Sequence, residues 1–171
     1  CENFGKQITY RELNDESILF AAYLQKKLGL KKGMRVAIML PNLLQFPVAM
    51  LGILRSGMVV VNVNPLYTAR ELAHQLKDSG AKAILVLENF ARELQTALPE
   101  TDIEHVIVTK IGDCLGWRGS LFNFVVKYVK QRVPAWKIEN SFWYQVVLKA
   151  GKKLSFDAPA LSSNDIAFLQ Y

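Results

Sequence analysis

The sequence contains few of the residues that disulfide frameworks and metal sites need. Only two of its 171 residues are cysteine, Cys1 and Cys114, and only two are histidine, His74 and His105. Two cysteines do not make the disulfide framework of a small secreted domain, so a reducing, cytoplasmic setting is favoured. A zinc site needs three or four ligands at fixed spacing, and neither histidine has Cys or carboxylate neighbours in such a pattern. We predict no metal ligand in this chain and structural or surface roles for both histidines.

Targeting and membrane-spanning signals are also missing. The first six residues have no apolar stretch of the kind that a signal peptide carries, and no run of about 18 uncharged apolar residues occurs anywhere. The chain starts at Cys1 and ends within the apolar run Ile166–Tyr171. We interpret it as a fragment excised from a longer protein, whose function lies partly outside these residues.

Glycine is present but not in a phosphate-binding pattern. None of the ten glycines forms GxGxxG or GxxxxGK[ST], and no serine stands in a GxSxG turn. Gly151 followed by Lys152 and Lys153 is more typical of a solvated turn than of a phosphate site. The sequence alone therefore predicts no catalytic residue.

Alternating helix and strand signals run through the first two thirds of the chain. Apolar residues make up 51% of the sequence, which is enough for a packed core. Thr9 with Glu12, and Thr68 with Glu71, form the pattern of a helix-starting capping box. The apolar runs predict strands at 35–40, 58–63, 83–87 and 105–109, with helices before and between them. We predict an α/β fold over 1–110, with a mainly parallel sheet covered by helices on both faces.

This regular alternation fails after residue 110. Eight Lys and Arg residues against Glu139 alone give the stretch 117–153 a charge of +7, whereas the whole chain carries +6. We interpret 111–163 as a basic and aromatic insertion or connection, with a short helix near Phe142–Leu148. Residues 164–171 then begin a final strand.

A basic, aromatic helix is predicted within this insertion, over Leu121–Arg132. Three interpretations stay open: a helix packed on the core with a solvated basic face, which we favour, contact with a lipid surface, and binding of nucleic acid. The nucleic-acid interpretation lacks any recognised motif, and we expect no nucleic acid to bind. Peripheral contact with a membrane would involve the following residues: Leu121, Phe124, Lys127, Tyr128, Lys130 and Arg132.

Several longer runs together resemble a known family. The runs VAIMLPN (36–42), GILRSG (52–57) and VNVNPLYTAREL (61–72) resemble the opening half of the AMP-forming adenylating enzymes. Within that superfamily, VNVNPLYT, NFVVK (123–127) and the terminal AFLQY are similar to bacterial long-chain fatty-acid–CoA ligases. The resemblance covers essentially the whole chain and implies part of the large N-terminal α/β domain of such a ligase.

The resemblance implies an activity for the complete protein. A fatty carboxylate would attack ATP to give an acyl-adenylate, and coenzyme A would then take the acyl group, with Mg²⁺ assisting. The resemblance further implies a cytoplasmic enzyme that associates peripherally with the inner face of the cell membrane, and a homodimer of the complete protein is one option. The 171-residue fragment itself is expected to be inactive. Another acid–thiol ligase, for medium-chain or aryl acids, and a non-enzymatic lipid-surface module are the alternatives.

One position is implied to bind the nucleotide. The family's Thr/Ser/Gly-rich phosphate loop follows the AFLQY-type strand, so Tyr171 would enter that loop. An ordinary aromatic residue at a strand end is the competing interpretation, and we favour it for the chemistry of the side chain. The Asn64–Tyr67 turn follows another strand end, where α/β sheets commonly bind ligands, but an entry turn for the next helix is the safer interpretation.

Overall fold

The structure is a computed structural model, which describes residues 2–3, 5–116, 119, 123–124 and 133–171. Most of these residues form a sheet with helices packed on both of its faces. The predicted helix over Leu121–Arg132 therefore lies mostly outside the described residues. Of its proposed lipid-facing residues, only Phe124 is described, and 55% of its surface is exposed.

The described residues form eight strands and five α-helices. The strands are β1 (Glu2–Asn3), β2 (Lys6–Gln7), β3 (Arg35–Met39), β4 (Val59–Asn62), β5 (Ala83–Leu87), β6 (His105–Thr109), β7 (Ser141–Trp143) and β8 (Phe168–Leu169). The helices are α1 (Tyr10–Lys26), α2 (Gln45–Arg55), α3 (Ala69–Ser79), α4 (Ala91–Ala97) and α5 (Tyr144–Gly151).

Six of these strands make one parallel sheet in the order β7-β6-β5-β3-β4-β8. The strand β3 lies inside it, with Val36 opposite Val60 of β4 on one side and Ala83 of β5 on the other. The hairpin of β1 and β2 is separate and antiparallel. The predicted α/β class and parallel sheet are confirmed.

The two faces of the sheet carry two separate cores. Successive strand side chains alternate between faces, so Val36 and Ile38 pack on one side whereas Ala37 and Met39 pack on the other. The first face is covered by α1, α2 and α5, and the second by α3 and α4. Because both faces are buried, the strands read as continuous apolar runs.

Both predicted capping boxes are present. The Glu12 backbone N–H donates to Thr9 Oγ1 at 3.2 Å, and the Thr9 N–H donates back to Glu12 Oε2 at 2.8 Å. Thr68 and Glu71 repeat this arrangement at the start of α3. These N–H donors stabilise the charged form, so they hold the pKa of each glutamate below its ordinary value. The two helices accordingly begin where the Thr–Glu spacing predicts.

The second half of the chain differs from expectation in detail. The run predicted as a helix near Phe142–Leu148 is a strand up to Trp143 and a helix only from Tyr144. The strand β7 pairs with β6, with Ile107 opposite Phe142, so the stretch 111–163 adds a strand to the main sheet. The division of the chain at residue 110 stays a prediction.

A long connection carries the chain from α5 across to the far edge of the sheet. Lys32 holds this connection, because its Nζ donates to the Ala160 carbonyl at 2.7 Å and lies 2.7 Å from Asp165 Oδ2. Lys26 forms a further ion pair with Asp157. The connection ends in β8, which pairs with β4 as the edge strand.

The contact between α1 and α5 depends on a glycine. A Cβ atom at Gly151 would lie 2.9 Å from the carbonyl carbon of Leu19 and still closer to its oxygen. Because these are backbone atoms, no side-chain rotation could relieve the clash, and the two helices would have to separate.

We expect Gly151→Ala to lower the free energy of unfolding by about 1–3 kcal/mol, through overpacking of this contact. Urea denaturation followed by circular dichroism measures the change. Lys149→Ala, an exposed change on the same helix, serves as the control and should stay within about 0.5 kcal/mol of the unaltered chain. Equal stabilities for the two variants would contradict the close-contact explanation.

Candidate functional site

The carboxyl edge of the sheet is where the chain topology opens a crevice. After β3 the chain turns to α2 on the first face, and after the neighbouring β4 it turns to α3 on the second face. Two adjacent parallel strands whose connections leave in opposite directions keep a gap between them, and α/β sheets bind ligands at such points. The candidate site is therefore the end of β3 and β4.

A cleft of about 230 Å³ lies at this point. It brings together the ends of three strands: Leu40 follows β3, Asn64 and Tyr67 follow β4, and Tyr171 follows β8. Its full lining is Ile38, Leu40, Phe46, Asn62, Val63, Asn64, Tyr67, Gln170 and Tyr171. The predicted nucleotide residue and the turn to which the sequence assigned no ligand thus share one cavity. We call it the Tyr171 cleft.

Amide side chains fix the wall of the Tyr171 cleft. Gln75 of α3 donates from Nε2 to the Asn62 carbonyl at 2.8 Å, and Asn62 Nδ2 donates to Gln170 Oε1 at 3.1 Å. Asn62 Oδ1 is buried and accepts no hydrogen bond. A ligand with an N–H or O–H donor would satisfy this oxygen, since an unpaired buried acceptor is costly.

The Asn64–Tyr67 turn is the helix entry that the sequence analysis favoured. Asn64 Oδ1 accepts from the Leu66 N–H at 3.0 Å, and the Asn64 carbonyl accepts from the Tyr67 N–H at 3.1 Å. These hydrogen bonds fix the turn immediately before Thr68, the residue that caps α3. The turn is thus a helix entry, and its Asn64 and Tyr67 also line the cleft.

Tyr171 is held by its hydroxyl group, and its side chain is half exposed. The hydroxyl donates to Asp78 Oδ2 on α3 at 2.6 Å. This hydrogen bond, with smaller contributions from burial and from the Asp78 charge, raises the pKa of Tyr171 above its ordinary value. With the hydroxyl occupied, the aromatic ring is the part of the side chain left to contact a ligand.

The remaining candidates from the sequence lie elsewhere. His74 is exposed on α3 and His105 is half buried at the start of β6. Burial raises the pKa of the Cys114 thiol to about 12, so this cysteine stays protonated near neutral pH.

Within the described ranges, no three His, Cys, Asp or Glu side chains come together as metal ligands would. No described helix combines the length and the apolar character needed to cross a bilayer.

Comparison with known proteins places the chain in a family. Residues 2–171 match the family described as AMP-binding enzyme. The chain belongs to this family. It is similar to the long-chain-fatty-acid–CoA ligases of Escherichia coli O157:H7 (53% identity) and Haemophilus influenzae (51%), in each case over 99% of this chain. It spans about 30% of the length of these relatives.

Solved structures share the fold at lower identity. A benzoate CoA ligase from Burkholderia xenovorans LB400 superposes with a TM-score of 0.70 and 23% identity, over 94% of this chain and 27% of that one. A long-chain-fatty-acid–CoA ligase from Archaeoglobus fulgidus gives 0.72 and 20%, over 100% and 29%. At this identity the likeness establishes the architecture alone.

Sequence reasoning missed two residues that hold the cleft, Gln75 and Asp78. Both lie on α3. Gln75 bonds to the carbonyl of Asn62 in β4, and the parallel pairing of β8 with β4 brings Tyr171 beside Asp78. Asn62 carried a signal, because it is a polar residue in an otherwise apolar strand run.

We expect Asp78→Ala to lower the pKa of the Tyr171 phenol towards its ordinary value, because the carboxylate that accepts its proton is removed. A ¹³Cζ NMR titration of tyrosine-labelled protein measures this directly. Asp102→Ala, an exposed aspartate outside the cleft, is the control and should leave the Tyr171 titration unchanged. An identical titration in the Asp78→Ala protein would show that the hydrogen bond is not formed in solution.

Proposed function

We propose that this chain is part of an AMP-forming ligase that activates long-chain fatty acids with ATP and transfers the acyl group to coenzyme A. The observation that carries the proposal is a cleft at the topological switch point, in a chain that matches the AMP-binding enzyme family over residues 2–171. The substrate class rests on relatives about 52% identical over nearly the whole chain, which are named long-chain-fatty-acid–CoA ligases.

The reaction needs two steps because a carboxylate is a poor acyl donor. In the first, a carboxylate oxygen of the fatty acid forms a bond to the α-phosphorus of ATP, and pyrophosphate leaves. In the second, the sulfur of coenzyme A forms a bond to the acyl carbon, AMP leaves with the electron pair, and the thiol proton passes to solvent. ATP and coenzyme A are co-substrates in this proposal.

The Tyr171 cleft is the part of this chain that we assign to the nucleotide. Its open groups suit that role: the ring of Tyr171 offers an aromatic surface, and Asn62 Oδ1 offers an unpaired acceptor. Mg²⁺ would offset the phosphate charge in this chemistry. The described residues do not gather a ligand set for it, so we assign no Mg²⁺ ligand among them.

The test uses a longer protein that contains this chain and has the full length of the related ligases. Pyrophosphate release with ATP and coenzyme A should be at least about 100-fold more efficient in kcat/KM for hexadecanoate than for benzoate, since each additional buried methylene adds to discrimination. The isolated 171-residue chain should release none. A preference for benzoate or octanoate would instead establish an aryl or medium-chain ligase, and no release with any acid would favour the lipid-surface module.

The same assay tests Tyr171. Tyr171→Ala should raise the KM for ATP about tenfold, the size expected for losing an aromatic contact of about 1 kcal/mol or more. Tyr171→Phe keeps the ring and should stay within about twofold. The KM for hexadecanoate is the internal control and should not change. Equal KM values for ATP in all three proteins would make Tyr171 an ordinary strand-end aromatic.

We also propose a cytoplasmic protein that touches the inner face of the membrane through the predicted helix at 121–132. Phe124 is exposed. The rings of Trp136 and Trp143 contact each other at a tilt of 59°, with centroids 5.8 Å apart, and the Lys110 ammonium lies 4.3 Å from the Trp143 ring centroid. Aromatic and cationic groups of this kind suit the headgroup region of anionic lipid. A homodimer of the complete protein stays a prediction.

Charge reversal tests the membrane contact. Substituting Lys127, Lys130 and Arg132 with Glu should weaken binding to phosphatidylglycerol-containing vesicles by at least about 100-fold, since each basic residue near the surface contributes about 1 kcal/mol. The matched control reverses Lys149, Lys152 and Lys153, which changes the net charge equally at the end of α5 and in the turn after it. Vesicle sedimentation that is equal for both triple variants would rule out this surface.

A further inference from the structure

A second cleft, of about 250 Å³, opens on the first face of the sheet. It lies between the beginnings of α1 and α5, beside the single 3-10 turn Ile111–Cys114 that follows β6. It shares no lining residue with the Tyr171 cleft. Its volume is about eight times the share of one molecule in liquid water, about 30 Å³, so it has room for a small organic molecule.

Tyr144 is one of the residues that line this second cleft, and its hydroxyl group is unsatisfied. Only 1% of the residue is exposed, and its ring packs against Phe20 with centroids 6.0 Å apart. The Tyr144 hydroxyl oxygen is buried and has no hydrogen-bond partner. A buried hydroxyl without a hydrogen bond lowers the stability of the folded state. No described residue bonds to this group, so it is available to a ligand.

Glu16 provides a second open group in the same cleft. Its Oε2 is buried and accepts no hydrogen bond. The other two acids of the lining are already engaged. Glu12 completes the capping box with Thr9, and Asp113 Oδ2 accepts from the Thr109 hydroxyl at 3.0 Å and from the Lys110 N–H at 2.9 Å.

The local charge favours a cation at this position. The second cleft is lined by three carboxylates and one cationic side chain, Lys6, and the described residues show no ion pair within 4 Å between Glu16 and any Lys or Arg. Burial and, to a smaller extent, the negative charge of Glu12 raise the pKa of Glu16 above its ordinary value, and the charges of Lys6 and Lys152 do not offset them. Burial also raises the pKa of Asp113.

We propose that the second cleft binds a small organic cation with N–H donors, a primary ammonium or a guanidinium group. Its N–H groups would donate to the Glu16 carboxylate and to the Tyr144 hydroxyl oxygen, the two acceptors left open. Charge-assisted bonds of this kind are the stronger class of hydrogen bond. The carbon part of the ligand would contact Ile8, Leu44 and Leu148, which supply the apolar lining.

Butylammonium chloride is the probe, titrated into the ¹⁵N-labelled chain at constant ionic strength. The amide signals of Cys114, Gly116 and Gln145 should shift saturably, with a Kd of about 1 mM for a ligand of this size. Tetramethylammonium carries the same charge but no N–H donor, and should bind at least about tenfold more weakly. Equal shifts with the two cations, or shifts that never saturate, would overturn the proposal.

Two variants locate the binding. Glu16→Gln removes the charge and Tyr144→Phe removes the hydroxyl, and each should weaken butylammonium binding at least about fivefold. Asp15→Asn is the matched control, because it removes one acidic charge from the same helix outside the second cleft, and its Kd should not change. Their ligand-free spectra report folding. Should Glu16→Gln fail to fold, Tyr144→Phe and the two-cation comparison decide; unchanged affinity in Tyr144→Phe would contradict the assignment.

Discussion

The interior strand β3 is the constraint on which the rest of the structure depends. It is hydrogen bonded on both edges, to β4 and β5, and buried on both faces. Its helix α2 can occupy only one face, whereas the helices after β4 and β5 occupy the other. The gap beside β3 at the carboxyl edge follows from this arrangement. The Tyr171 cleft is thus a consequence of connectivity before any particular side chain is considered.

The features that local sequence determines were predictable. The strands β3 to β6 are apolar on both faces, so their runs stand out, and the Thr–Glu pairs place the starts of α1 and α3. The strand β7 was missed because it has three residues, sits at the sheet edge and passes directly into α5. The role of Asp78 could not be predicted, because its partner Tyr171 comes 93 residues later. Gln75 bonds to the carbonyl of Asn62 in β4, a contact that depends on how α3 packs against the sheet.

The two clefts are built from different parts of the fold. In the Tyr171 cleft, three strand ends converge and amide groups bond to one another, with Asn62 Oδ1 left unpaired. In the second cleft, residues of α1, α5 and the 3-10 turn after β6 form most of the lining, and Glu16 Oε2 and the Tyr144 hydroxyl are left without partners. The first cleft follows from the topology of the sheet, and the second lies among elements on one face of it.

The distance along the chain between β4 and β8 has a consequence for folding. Val60 and Phe168 are paired although 108 residues separate them, whereas β3, β4, β5 and β6 follow one another with a single helical connection each. Closing a longer loop costs more conformational entropy, and the two residues of β8 form only a few hydrogen bonds to offset that cost. We therefore expect the edge strand to join a sheet that has already formed, so that the wall carrying Gln170 and Tyr171 assembles last.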